Sequence, residues 1–131
     1  MAKVEWAHLC DYAFYDQFQK VCMIGLFKMI HTATVPTQHP KCDFVFSLSG
    51  HPNEVVSMQF QIIRPDGKDP LINFTNHGVN LTPAGEVVNI VALNNLPLPD
   101  FGPYEVRITL NGTVDYAGVF HVNRSSPGGL Q

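Results

Sequence analysis

Strict alternation of apolar and polar side chains leaves this chain the least freedom, because a strand with one buried face is what produces a period of two. Tyr104, Val106, Ile108 and Leu110 alternate with Glu105, Arg107 and Thr109, and Tyr116, Gly118, Phe120 and Val122 repeat the pattern. Between them stands Asn111-Gly112, a pair that readily supplies the positive φ of a two-residue hairpin turn. Residues 104–122 are therefore expected to form a hairpin. Met58, Phe60 and Ile62 alternate with Gln59 and Gln61, and Pro65-Asp66-Gly67 closes that strand. Leu71 to Phe74 is the expected answer to it. Phe44, Phe46 and Leu48 alternate in the same way before Gly50. Val87 to Leu93, opened by Gly85 and closed by Asn94-Asn95, is an apolar run that reads as a more deeply buried strand. The first 35 residues read as two long strands around Asp16-Gln17-Phe18-Gln19. Helical periodicity is poor throughout, so the chain is expected to be all-β, with about seven to nine strands.

One corner selects among β folds. Asp100-Phe101-Gly102-Pro103-Tyr104 has the spacing of a tyrosine corner, in which a Tyr at the start of a late strand hydrogen-bonds to backbone a few residues upstream. Asp100, Gly102 and Tyr104 are thus structural residues of an immunoglobulin-like two-sheet sandwich. With 131 residues and 45% hydrophobic content, the chain suffices for a single domain, expected over 1–124. Residues 125–131, with Pro127-Gly128-Gly129, read as a flexible C-terminal tail. A formal net charge of −3 argues against a nucleic-acid footprint or a basic membrane anchor. The longest uncharged apolar stretch, Val21 to Phe27, is too short to span a bilayer. Glu5, His8 and Asp11 interrupt any secretory signal, so a cytoplasmic location is expected. There the three cysteines, Cys10, Cys22 and Cys42, should be thiols.

Leu9-Cys10-Asp11-Tyr12-Ala13, Lys20-Val21-Cys22-Met23-Ile24-Gly25-Leu26-Phe27 and the Pro36…His39-Pro40 stretch resemble an uncharacterised family of small bacterial proteins. Its members open with a similar Leu-Cys-Asp-Tyr-Ala hairpin and a Gly-Leu-Phe or Gly-Ile-Phe strand. The likeness covers roughly the first 45 residues, with a weaker match at Arg64-Pro65-Asp66-Gly67. It implies a bacterial source and no assigned activity. The C-terminal half resembles generic immunoglobulin-like strands.

Candidate chemistry is sparse. His31, His39, Cys42 and His51 are weak candidates for a metal site, since zinc takes four ligands, usually as two closely spaced pairs. Only His39 and Cys42 form such a pair, with Pro40 between them. Cys10 shares a strand face with His8 but at a spacing of about 7 Å, too long for activation. No nucleophile elbow, phosphate loop or paired-acid spacing occurs, so neither an enzyme nor a cofactor is expected.

The first hairpin is more informative as a surface. With Asp16 to Gln19 as its loop, residue i faces residue 35 − i. One face would then carry Trp6 and Tyr12 with Phe27 and Met29, and the other Leu9 with Ile24 and Leu26. Both faces are too apolar for a sheet with one side in water. The outward face must be covered by the connections Thr32 to Lys41 or Asn94 to Pro103, or by a partner protein. Trp6, Leu9, Tyr12, Ile24, Leu26, Phe27 and Met29 are the interface candidates. The leading expectation is a non-enzymatic interaction or structural module binding itself, as a homodimer, or another chain, without nucleic acid or membrane. The alternative is a ligand- or metal-binding, even enzymatic, domain using the His/Cys loops around 31–51.

Overall fold

The computed structural model describes residues 1–67 and 69–125; the expected tail therefore lies, beyond Ser125, outside the described residues. Among the described residues nine strands form two sheets: β1 (Lys3–Tyr15), β2 (Val21–Leu26), β3 (Met29–Thr32), β4 (Thr37–Ser49), β5 (Val55–Ile63), β6 (Pro70–Asn80), β7 (Glu86–Leu98), β8 (Gly102–Leu110) and β9 (Thr113–Arg124). One sheet has the order β2-β1-β4-β7 and the other β3-β9-β8-β5-β6. Among the described residues no helix is long and apolar enough to cross a membrane.

Alternation does what the sequence implies in β5 and β8. Met58, Phe60 and Ile62 face Leu110, Ile108 and Val106 across one ladder, and all are buried in the core between the sheets. At the β8–β9 turn Asn111 and Gly112 take φ of 48° and 85°, so Leu110 sits directly opposite Thr113. Phe44, Phe46 and Leu48 of β4 and Leu93, Leu96 and Leu98 of β7 supply the opposite wall.

Three expectations need correction. Val87 to Leu93 belongs to an edge strand, half-buried along most of its length. The second long strand of the first hairpin divides at Phe27-Lys28, and its far half crosses to the other sheet as β3, pairing parallel to β9. The register of the first hairpin is Tyr15 opposite Val21 and Tyr12 opposite Ile24, one residue from the expected 35 − i pairing. The cause is local: the Asp16 carboxylate accepts the N–H groups of Phe18 (2.8 Å) and Lys20 (2.9 Å), and Gln19 takes φ 64°. Those bonds draw Lys20 into the turn and lengthen it to five residues.

Candidate interaction surface

The tip of the first hairpin does not continue in the plane of its sheet. Trp6 and Val88 both lie opposite Ser47, on either side of β4, while Cys10 lies opposite Asp43. A straight β1 rising ~3.3 Å per residue would carry Tyr15 about 30 Å beyond the level of Val88. The Tyr15 hydroxyl instead donates to the Val88 carbonyl at 2.5 Å. The hairpin therefore folds back over the outer face of its own sheet.

Two residues place the fold. Gly25 has φ 72°, and a Cβ there would lie 2.4 Å from the Asp11 carboxylate, so the two strands close tightly at this point. Two positions on, Ala13 N–H donates to the buried Asp43 carboxylate at 2.8 Å, which ties the returning chain to β4. Under the tip Cys10, Ala13 and Val45 form a second, smaller core, flanked by Trp6, Val21, Met23, Val88 and Ile90. This explains why Cys42 to Leu48 is buried at every position: one side of β4 faces the main core and the other faces the tip.

Covering one face exposes another. Tyr12 and Ile24 are paired across the strands and are 48% and 56% exposed. Phe18 at the turn, Leu26 and Met29 are exposed as well. The ring of Phe14 lies 5.3 Å from that of Tyr12. Two cations flank the patch, with Lys41 4.9 Å from the Tyr12 ring and Lys20 5.9 Å from that of Phe18. Asp16 is occupied with backbone N–H groups, and the Asp11 carboxylate lies against Gly25. Of the interface candidates, Tyr12, Ile24, Leu26 and Met29 are thus exposed, while Trp6 is half-buried beside His8, its ring stacked at 5.6 Å. Phe27 is half-buried. Leu9 requires correction: at 7% exposure it belongs to the main core, because a bulge between Val4 and Trp6 turns Val4, Ala7 and Leu9 inward.

Beside the crossover a cleft of about 360 Å³ opens between β1 and β9, lined by Leu9, Phe27, Phe44, Tyr116 and Phe120, with Lys28 and His8 also on its wall. Tyr116 folds flat along its strand, over Gly118, where a Cβ would meet its hydroxyl at 2.2 Å.

The four metal candidates are not brought together. His31 and His39 share a small cleft with Asp11, and His39 lies 5.8 Å from the Phe27 ring. Cys42 is buried in the main core, and His51 lies beyond the other end of β4, its N–H bonded to Glu54. Among the described residues no group of three His, Cys, Asp or Glu side chains could hold an ion. The thiols are free. Burial, reinforced by the Asp43 charge, pushes the Cys42 thiol up to about 12, and the same two causes raise Cys10. Both are neutral at physiological pH and poor nucleophiles.

The tyrosine corner is closed on both sides. Tyr104, fully buried, donates to the Asp100 carbonyl at 2.7 Å and accepts Asp100 N–H at 3.0 Å. The sequence gives no sign of Arg64, whose guanidinium donates to the Asp100 carboxylate at 3.0 Å and lies 3.7 Å from Asp66. Asp100 is 36 residues from Arg64 in sequence and meets it only when β8 pairs with β5.

A family model matches residues 5–123, which takes in both sheets and the hairpin tip. The chain belongs to the family of unknown function DUF6941. No curated protein matches it in sequence. Among solved structures, the DUF6941 chain is similar to the C-terminal domain of Wzt, at 14% identity and TM-score 0.58, covering 95% of this chain and 75% of that one. It is similar to an immunoglobulin-like protein from Pseudomonas aeruginosa, at 14% identity and TM-score 0.52, over 94% and 97% of the two chains. It also matches the Pseudomonas fluorescens alkylpurine DNA glycosylase AlkC bound to DNA, at 10% identity and TM-score 0.58, covering 93% of this chain but 30% of the glycosylase. At these identities the likeness is one of fold, and the fold is an immunoglobulin-like sandwich.

Proposed function

We propose that this DUF6941 domain is a non-catalytic protein-binding module, and that its contact surface is the exposed side of the folded-back hairpin. The observation that carries the reading is the concentration of Tyr12, Phe18, Ile24, Leu26 and Met29, all well exposed, in one hairpin and the strand that follows it. A monomer gains nothing by wetting such a patch, whereas a partner that covers it recovers about 25 cal/mol for each Å² of apolar area. Aromatic residues and Met are also the types enriched at such contacts. Lys20 and Lys41 flank the patch and lie over its Phe18 and Tyr12 rings, so the fitting partner has an apolar centre and carboxylates placed to meet them. A second copy placed on this patch would set lysine against lysine, which favours a different chain. The net charge of −3 opposes carrying over the DNA bound by the glycosylase.

Photo-crosslinking tests the reading. A crosslinker at position 24, in cells that make the protein, should capture one discrete partner, and the same group at Gln59 on the other sheet should not. With the purified partner, Ile24→Lys and Lys41→Glu should each weaken binding at least about tenfold, or about 1.4 kcal/mol. Equal capture from positions 24 and 59 would refute the proposal.

A further inference from the structure

The two sides of the sandwich are guarded unequally. On the crossover side the edge strands are short, six residues in β2 and four in β3, and charges stand beside them at Asp11, Lys20 and Lys28. On the opposite side the edges are β6 and β7, of 11 and 13 residues. From Pro70 to Pro99, which contains both strands whole, Glu86 is the single charged residue. Long uncharged edges are what soluble proteins ordinarily avoid, because unpaired N–H and C=O groups recruit another strand.

The register shows which groups are unpaired. Gly85 C=O accepts Gly50 N–H, on the β4 side, whereas Glu86 C=O accepts Thr82 N–H and Val88 C=O accepts the Tyr15 hydroxyl, both outside the ladder. Successive residues of a strand point opposite ways, so Ile90, Ala92 and Asn94 also direct their backbone groups to the free edge. Ala92 and Asn94 are exposed, and Ala92 leaves the edge unobstructed by a large side chain.

We infer that two copies of this chain pair antiparallel through β7, about a two-fold axis near Ala92, to make one continuous sheet. An uncharged edge is its own complement when reversed, which is what an isologous contact requires. Ala92 then faces Ala92 of the second copy and Ile90 faces Asn94, with the β6 edges alongside. An edge about 35 Å long and two layers, or about 20 Å, thick presents ~700 Å², close to the ~800 Å² per partner of a stable interface. Tyr15 of the hairpin keeps the Val88 carbonyl, so the new ladder is centred on Ile90 to Asn94 and leaves Tyr12, Ile24 and Leu26 open to a different chain.

Sedimentation and amide exchange test the inference on the full chain. At about 200 μM the protein should be a dimer, and the amides of Ile90, Ala92 and Asn94 should gain protection as concentration rises, while Asn89, Val91 and Leu93 are protected throughout. Ala92→Lys sets two cations face to face and should weaken the dimer at least about 100-fold. Ile24→Lys should leave it unchanged. The inference fails if the protein is a monomer with rapid exchange at Ile90, Ala92 and Asn94, a result obtained on the unsubstituted chain and so independent of whether a variant folds. It also fails if the dimer survives Ala92→Lys and is broken by Ile24→Lys, which would move self-association to the hairpin patch.

Discussion

The two hairpins, β1–β2 and β8–β9, begin from different patterns, apolar on both faces in the one and alternating in the other, and end in different layers. In β8–β9 a two-residue Asn-Gly turn keeps both strands in one sheet, with buried residues regularly inward on β8 and the intervening side chains toward solvent. In β1–β2 a five-residue turn, the left-handed Gly25 and the Ala13 to Asp43 bond send the tip over the sheet's own back. The first therefore has one dry face and one wet face. The second dries the outer face of β4 and wets a new one of its own. A hairpin that is apolar on both sides thus marks a third layer supplied by the chain itself, before any partner is invoked.

The sharpest way to break this comparison is to charge the same kind of position in both places. Val45, fully buried beneath the tip, and Gln59, half-buried outside the other sheet, both lie on outer faces. Val45→Asp should cost about 4 kcal/mol in a urea titration, because an unpaired carboxylate is buried, and Gln59→Asp about 0.5 kcal/mol or less. Similar values would mean that the tip does not seal that face.

A pH series sharpens the contrast further. The folded Cys42 thiol titrates at about 12, above its ordinary value, so the unfolded chain loses this proton first as pH rises. Stability is unaffected by Cys42 below about pH 9 and should fall above it by up to about 1.4 kcal/mol per pH unit, until the folded thiol itself ionises. Buried Tyr104 and half-buried Tyr116 are raised by burial as well and act in the same direction at higher pH. Cys42→Ala should flatten the decline between pH 9 and pH 10, measured as a denaturation midpoint. An unchanged slope would remove Cys42 as its source.

The smallest effects come from two tyrosine hydroxyls. Tyr104→Phe orphans the Asp100 carbonyl and N–H in a buried corner, and about 1–2 kcal/mol should be lost. Tyr15→Phe removes one bond from a side chain 45% exposed, so about 0.5 kcal/mol is expected. Equal losses would place Tyr15 deeper than its exposure implies.

What the sequence made legible follows the same division. The individual strands of the sandwich, the Asn111-Gly112 hairpin and the Asp100 to Tyr104 corner were readable because each rests on neighbours in sequence. The excess of apolar residues in the first hairpin was readable too, but not its cover, which depends on Asp43, Val45 and Val88 from distant strands. Asp16 and Gln19 carried the register signal: an acid that caps two N–H groups adds a residue to the turn and exchanges the faces of everything beyond it. Val87 to Leu93 resembled a central strand because the same tip dries its outer face. Apolar content reports drying, and drying does not distinguish the middle of a sheet from a roofed edge.

The parallel pairing of β3 with β9 sets the order in which this molecule can be completed as it is made. β3 emerges early, yet its partner residues, His121 to Arg124, are among the last described residues to leave the ribosome. Antiparallel neighbours such as β5 and β6 can zip as they appear, whereas β3 must wait for β9, and its exposed Met29 waits with it. Until then a nascent chain carries an unfilled slot at one margin of the second sheet. Closing that slot ties an early strand to the last described one.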